Sequence, residues 1–264
     1  MNSTMKHAAY MGIVVFLFAA TLQAADSIPA GTVLPVMLNS TLSSGKNKPG
    51  QKISARVMQS VPLPDGRTIR AGASVQGRIT SVTPASKGSG ASVSVRFDTL
   101  KVAHQSIPIT TNLRAIASLT EVEQAQIPVN GPDRGTPMEV WTTVQIGGDT
   151  VYRGGGPVES ALGITGRPVP DGVLVRLASN PERGCRGAIG GDNALQALWV
   201  FSADACGAYS LPNLKIRHAG RTNPVGEIVL ESKSGELKIG AGAGLLLRVI
   251  AAPAATAFSF SPAI

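Results

Sequence analysis

Charge and aromaticity are both scarce in this chain of 264 residues, with 15% charged and 4% aromatic side chains. Glycine and proline are plentiful instead, at 30 and 18 residues. That balance works against long helices, which both residues interrupt, and suits many short strands joined by turns. Cysteine occurs only at Cys185 and Cys206, without C-x-x-C spacing, so the sequence carries no redox motif and no recognisable zinc site. Histidine is as sparse. Beyond the N-terminal segment there are only His104, read as part of a surface turn, and His218, which stands beside Arg217 and Arg221 and reads as a basic loop. With no G-x-S-x-G elbow and so few bases, nucleophilic hydrolysis has no motif to rest on. Glu121 and Glu123 flank each other at a helix start and Asp204 lies next to Ala205 and Cys206, so no paired-carboxylate motif emerges. No catalytic residue, metal ligand or cofactor is assigned, and the chain is read as a non-enzyme.

One apolar run stands out. Lys6 precedes the stretch from Ala8 through Val14, Phe16 and Phe18 to Leu22; Ala24 and Ala25 follow, and Asp26, Ser27 and Pro29 end it. This is the pattern of a secretory signal peptide occupying residues 1–24, with cleavage expected near Ala24. Leu22 stands where an A-x-A site has a small residue, so retention as an N-terminal anchor is the alternative. No other stretch approaches the roughly 20 apolar residues of a spanning helix. The expectation is an exported protein of the periplasm or cell envelope, outer-membrane association included. Loss of Lys6 with the signal takes the formal charge from +8 to +7, so the mature chain stays basic. Anionic envelope polymers or lipids therefore join protein partners as candidate neighbours, while nucleic acid is not expected. Lys46, Lys48, Lys52 and Arg56 read as a solvated strand edge. In an oxidising compartment Cys185 and Cys206 are expected to form one structural disulfide, worth roughly 3 kcal/mol on the chain-entropy model.

A short pattern recurs three times: IPAGTVLPVML from Ile28 to Leu38, IRAGASVQGRI from Ile69 to Ile79, and IGAGAGLLLRV from Ile239 to Val249. Each copy puts Ala-Gly before an alternating apolar row, which predicts a turn feeding a strand, with Gly31, Gly72 and Gly242 as the structural turn residues. Gly77 interrupts the second row and predicts a bulge or a close backbone approach. A phase shift between Phe97 and Leu100 predicts another bulge near Asp98 or Thr99. About six strands are expected between Pro29 and Leu113. The third copy is expected to return as a closing strand beside the first, with Leu245, Leu247 and Val249 buried and Arg248 on an opposite, tolerant face. Although Gly240, Gly242 and Gly244 are spaced like a dinucleotide loop, a strand follows them where that motif needs a helix.

After Leu113 the texture changes. Thr120 and Glu123 have capping-box spacing at the head of one short helix. From there to Val225 the chain is rich in glycine and proline, with strand candidates at Val140–Ile146, Val173–Leu177 and Leu195–Phe201. This reads as an insertion, dispensable for the β-domain and compensated by its disulfide. Trp141 and Trp199, each in an alternating segment, are either core residues or ligand-facing surfaces on which a sugar ring could stack. The predicted organisation is a signal peptide at 1–24, the N-terminal part of a β-domain at 25–118, an insertion at 119–225, closing strands at 226–250 and a disordered tail at 251–264. The predicted fold class is mainly β, a small barrel or sandwich made by the two ends of the chain.

Residues 28–113, with 226–250 as candidate closing strands, resemble the TrbI-like β-barrel domain of type IV secretion and conjugation scaffolds. The resemblance lies in IPAGTVLPVML with the following LSSG, in GQKISARV, in DGRTIRAGASVQGRI and in IGAGAGLLLRV. It implies a non-enzymatic domain that assembles with itself and with other envelope proteins. It does not extend to residues 121–225, and the family's cytoplasmic segment and proline-rich linker have no counterpart here. The resulting expectation is a structural or assembly protein of the bacterial cell envelope. The alternative is a periplasmic or surface module that binds a glycan or another anionic envelope ligand.

Overall fold

A computed structural model describes residues 27–129, 142–153, 155–160, 163–177 and 195–251. The signal segment, Trp141, Cys185 and the tail from residue 252 onward lie outside them. The chain is mainly β, as its composition predicts. Its first part runs β1 (Val33–Leu38), β2 (Leu42–Ser43), β3 (Lys52–Val57), β4 (Val61–Pro62), β5 (Thr68–Ile69), β6 (Ser74–Thr83), β7 (Ser92–Val102), β8 (Gln105–Pro108) and β9 (Thr111–Ala117). A helix, α1 (Leu119–Gln124), leads to β10 (Thr142–Val144), β11 (Thr150–Tyr152), β12 (Val158–Ser160), β13 (Gly163–Val169), β14 (Gly172–Arg176) and β15 (Leu195–Ala197). The chain then finishes with β16 (Gly207–Tyr209), β17 (Leu214–Ala219), β18 (Ile228–Ser232), β19 (Lys238–Ile239) and β20 (Gly244–Val249).

Among the described residues, ten strands form one large sheet in the order β16-β9-β20-β1-β3-β6-β7-β18-β17, with β8 paired to β7. The sheet curls around a core that includes Leu34, Val36, Val75, Ile79, Phe97, Leu113, Leu245 and Leu247. Curling brings its two ends together: Arg221, just past β17, reaches the Leu113 carbonyl at 3.5 Å, and the Gly220 backbone lies against Thr111. No ladder joins β17 to β9 among the described residues, so the barrel is not closed.

The three sequence copies fold into the same hydrogen-bonded device. Gly31, Gly72 and Gly242 have φ of 96°, 91° and 85°, a region that a Cβ disfavours. Their N–H groups donate to the carbonyls of Val249, Val57 and Leu38 at 2.8, 2.7 and 2.9 Å. Those same strand-end residues donate back to Thr32, Ala73 and Ala243 at 2.8, 2.8 and 2.9 Å. The first and third copies therefore clasp each other, since the turn before β1 holds the end of β20 and the turn before β20 holds the end of β1. Between them the strands pair antiparallel, with Leu34 opposite Leu247 and Val36 opposite Leu245. The expected return of the third copy beside the first is thus present.

A single irregularity accounts for both expected bulges. In the β6–β7 ladder Gln76 pairs with Thr99 but Gly77 pairs with Phe97, leaving Asp98 as the extra residue. A Cβ on Gly77 would lie 2.1 Å from the Arg96 carbonyl oxygen, so the close approach requires glycine there.

The region read as an insertion departs from expectation in three ways. Its strands β10 to β15 form a six-stranded antiparallel meander. That meander packs, with α1, on the outer face of β1, β9 and β20, making a second core from Val33, Ala115, Ala117, Val122, Leu246, Val173, Leu198 and Phe201. It therefore shares three strands with the first core and is not an appended unit with a small core of its own. The boundary at Val225 is also displaced, because β16 and β17 belong to the large sheet. Arg248, expected on a tolerant face, is only 6% exposed, for β20 is buried on both sides. His218 sits within β17 instead of a loop, and β3, carrying Lys52 and Arg56, is an interior strand whose exposed residues face solvent from the sheet and not from its edge. The helix cap is Ser118, whose hydroxyl accepts from the Glu121 N–H at 3.2 Å; the operative S-x-x-E therefore begins at Ser118 and not at Thr120.

Candidate binding cleft and arginine cavity

Two polar side chains fasten the meander to the large sheet. Gln59, fully buried just after β3, donates through its amide nitrogen to the Val173 carbonyl at 2.6 Å. Its amide oxygen accepts from the N–H groups of Val173 and Trp199 at 2.8 and 2.6 Å. On β15, Gln196 accepts the Val33 N–H at 3.1 Å, where β1 has run beyond the end of its pairing with β3. Buried backbone groups must find partners, and these two amides supply them where no ladder can continue.

Beside the Gln59 contact the two layers part to form a cleft of about 980 Å³. Arg56 and Met58 at the end of β3, Gly72 of the second turn, Gln126, Arg153, Asp171 and Trp199 line it. Burial lowers the affinity of Arg153 for its proton, and the carboxylate of Asp171 opposes that effect. Two guanidinium groups and one carboxylate around an apolar floor suit a ligand with several hydrogen-bonding groups. Trp199 borders this cleft, yet it is only 3% exposed and packs in the second core, so most of its ring serves packing. Trp141, the other aromatic candidate, lies outside the described residues.

A second cavity of about 560 Å³ opens where β9 begins and β20 ends. Its lining includes Asn112, Arg114, Arg221 and Arg248, a set the sequence reading did not single out. Asn112 stands directly opposite Arg248 in the ladder. Arg114 owes its direction to a bulge: Leu246 pairs with Ala115 and Leu247 with Leu113, which leaves Arg114 as the extra residue. It donates through Nε to the Ala205 carbonyl at 3.1 Å and through Nη2 to the Ala203 carbonyl at 2.8 Å. Burial, followed by the neighbouring charges of Arg248 and Arg221, pushes its pKa down to about 10, against the pull of Asp204. The only sequence signal for this set would have been arginine placed inside the otherwise apolar runs of β9 and β20.

Near these arginines Asp149, 3% exposed, accepts the Ala203 N–H at 2.7 Å. Burial raises its pKa, and Asp204 adds to the rise. Cys206 stands immediately before β16, while Cys185, its expected disulfide partner, falls outside the described residues. His104 lies exposed in the turn between β7 and β8. Among the described residues no three of His, Cys, Asp and Glu assemble as metal ligands, and no helix is long and apolar enough to cross a membrane. Compared with known proteins, the chain matches no family model and no curated protein.

Proposed function

We propose that this protein is an exported, non-enzymatic structural or assembly component of the bacterial cell envelope, built on a scaffold domain of the TrbI-like kind. The observation that supports this reading most is spatial. The segments that carry the resemblance, distant in sequence, form the four neighbouring strands β20, β1, β3 and β6 of one sheet. Their paired turns clasp one another through backbone bonds, so the arrangement depends on the very Ala-Gly positions on which the resemblance rests. The test is chemical cross-linking in intact cells followed by light scattering of the purified protein. A defined homo-oligomer, or reproducible cross-links to envelope proteins, is the expected result. A strictly monomeric species without such cross-links would overturn the assembly role. Intact mass of the same material tests export and disulfide pairing, since the expected species lacks residues 1–24 and has no alkylatable thiol before reduction.

A second reading, a module that binds a glycan, draws on the cleft between the layers with Arg56, Arg153 and Asp171 at its walls. Retention on purified sacculi that is lost on Arg153→Gln, with folding unchanged, would favour it over assembly.

A further inference from the structure

We infer that the cavity at the ends of β9 and β20 is a binding site for an oxyanion of the phosphate class, gripped by Arg114, Arg221 and Arg248 with Asn112 beside them. Three cations seldom gather by chance in a partly buried place, because each loses hydration and repels the others. Here Arg114 and Arg248 are 4% and 6% exposed, and both belong to adjacent strands of the large sheet that fix their positions. The ladder sets Arg248 opposite Asn112, the β9 bulge turns Arg114 to the same face, and the curl of the sheet brings Arg221 from the far end. This is a built site, assembled from three elements remote in sequence.

The chemistry of the donors selects the ligand. A guanidinium presents donors in a planar fork, and one fork suffices for a planar carboxylate. Three forks arriving from β9, β20 and the β17–β18 loop suit a tetrahedral group with oxygens in several directions. The Ala203 and Ala205 carbonyls pin one side of the Arg114 fork, which orients its plane before a ligand arrives. All three arginines also have other interactions within the chain, so an anion joins an existing network. The rest of the lining is small or apolar, with Gly31, Val225 and Ala251 among it. A Cβ on Gly31 would lie 3.6 Å from Nη2 of Arg248, so this turn sits directly against the cationic wall. A cavity of about 560 Å³ exceeds the size of a bare phosphate and leaves room for a phosphomonoester substituent.

The experiment titrates inorganic phosphate into the full-length protein and follows thermal unfolding, with acetate at matched ionic strength as control. A ligand that binds only the folded chain raises the unfolding midpoint in a saturable way. Phosphate is expected to do so and acetate is not, and Arg221→Gln is expected to weaken phosphate binding by about tenfold. Arg221 is the least buried of the three, so this variant keeps the fold, and circular dichroism verifies it. Equal shifts with both salts, or an unchanged phosphate response in a folded Arg221→Gln variant, would overturn the site. Vesicles of phosphatidylcholine with and without phosphatidic acid then separate the sources. Recruitment to phosphatidic acid that inorganic phosphate reverses assigns a lipid headgroup; phosphate binding without recruitment assigns a soluble phosphate.

Discussion

The large sheet and the meander solve the same burial problem by different means. In the large sheet, long strands such as β6 and β7 alternate their side chains and enclose an aliphatic core, and backbone clasps tie the strand ends. In the meander the strands are mostly three to seven residues long, and the unit leans on a surface that the large sheet supplies. What holds it there is a mixture of apolar contact and buried amides, with Gln59 and Gln196 answering backbone groups across the join. A short-stranded layer of this kind does not need a core of its own if its neighbour offers a second apolar face. The cost falls on β1, β9 and β20, which must be apolar on both sides.

The most severe way to break the comparison is to remove the meander. Deleting residues 119–225 and bridging the gap with a Gly/Ser linker uncovers Val33, Ala115 and Leu246 and also removes β16 and β17. The expected outcome is loss of cooperative unfolding, read by circular dichroism in urea. A deletion variant that unfolds cooperatively would show the large sheet to be self-sufficient.

A finer cut compares neighbouring residues on β20. Leu246 faces the second core and Leu247 the first, and both are fully buried. Aspartate at either position is expected to cost about 3–5 kcal/mol, because each buries an unpaired charge. A loss under about 1 kcal/mol for Leu246→Asp alone, against the usual range for surface changes, would make the second core optional.

Gln59→Ala addresses the join itself. It strips partners from Val173 and Trp199 while leaving the large sheet intact, and a loss of about 2–4 kcal/mol is expected. Hydrogen exchange should rise first at the Val173 and Trp199 amides; protection unchanged there would separate the join from stability.

The smallest effect concerns Asp149. Its pKa in the fold lies above the ordinary 3.8, so the fold binds this proton more tightly than the unfolded chain does. Its contribution to stability is therefore greatest in acid, declines as pH rises from that ordinary value through the raised one, and leaves a penalty at neutral pH. Asp149→Asn keeps an oxygen for the Ala203 N–H and should remove this slope, changing neutral stability by no more than about 1 kcal/mol. Identical pH profiles for the two proteins would show that burial does not strain this carboxylate.

Which parts were legible in the sequence follows from how each part is stabilised. The turn glycines, the bulge at Asp98 and the return of β20 to β1 all rest on local pattern, namely Ala-Gly before alternation or a break in phase. Alternation misleads where a strand is covered twice. Period two makes Leu245, Leu247 and Val249 the buried row of β20 and Arg248 its tolerant opposite, yet three consecutive leucines after a turn signal are the mark of burial on both faces. The Gln59 clasp left no local trace, and the arginine cavity left only isolated arginines inside apolar runs, which do not say that they meet. Each joins residues more than a hundred positions apart, and only the folded topology brings them together.

The clasp between the first and third turns has a mechanical side. The chain enters the domain beside Gly31 and leaves it beside Val249, at the same end of one antiparallel pair. Tension applied between the two ends acts across the strands and loads the rungs singly, beginning with the Gly31 and Val249 bonds. A domain pulled in this way peels like a zipper at low force, whereas sliding the same strands lengthwise would strain all their bonds together. If the protein bears load, it resists best when the pull comes through one end and another face of the sheet, and it opens most readily when both ends are drawn apart.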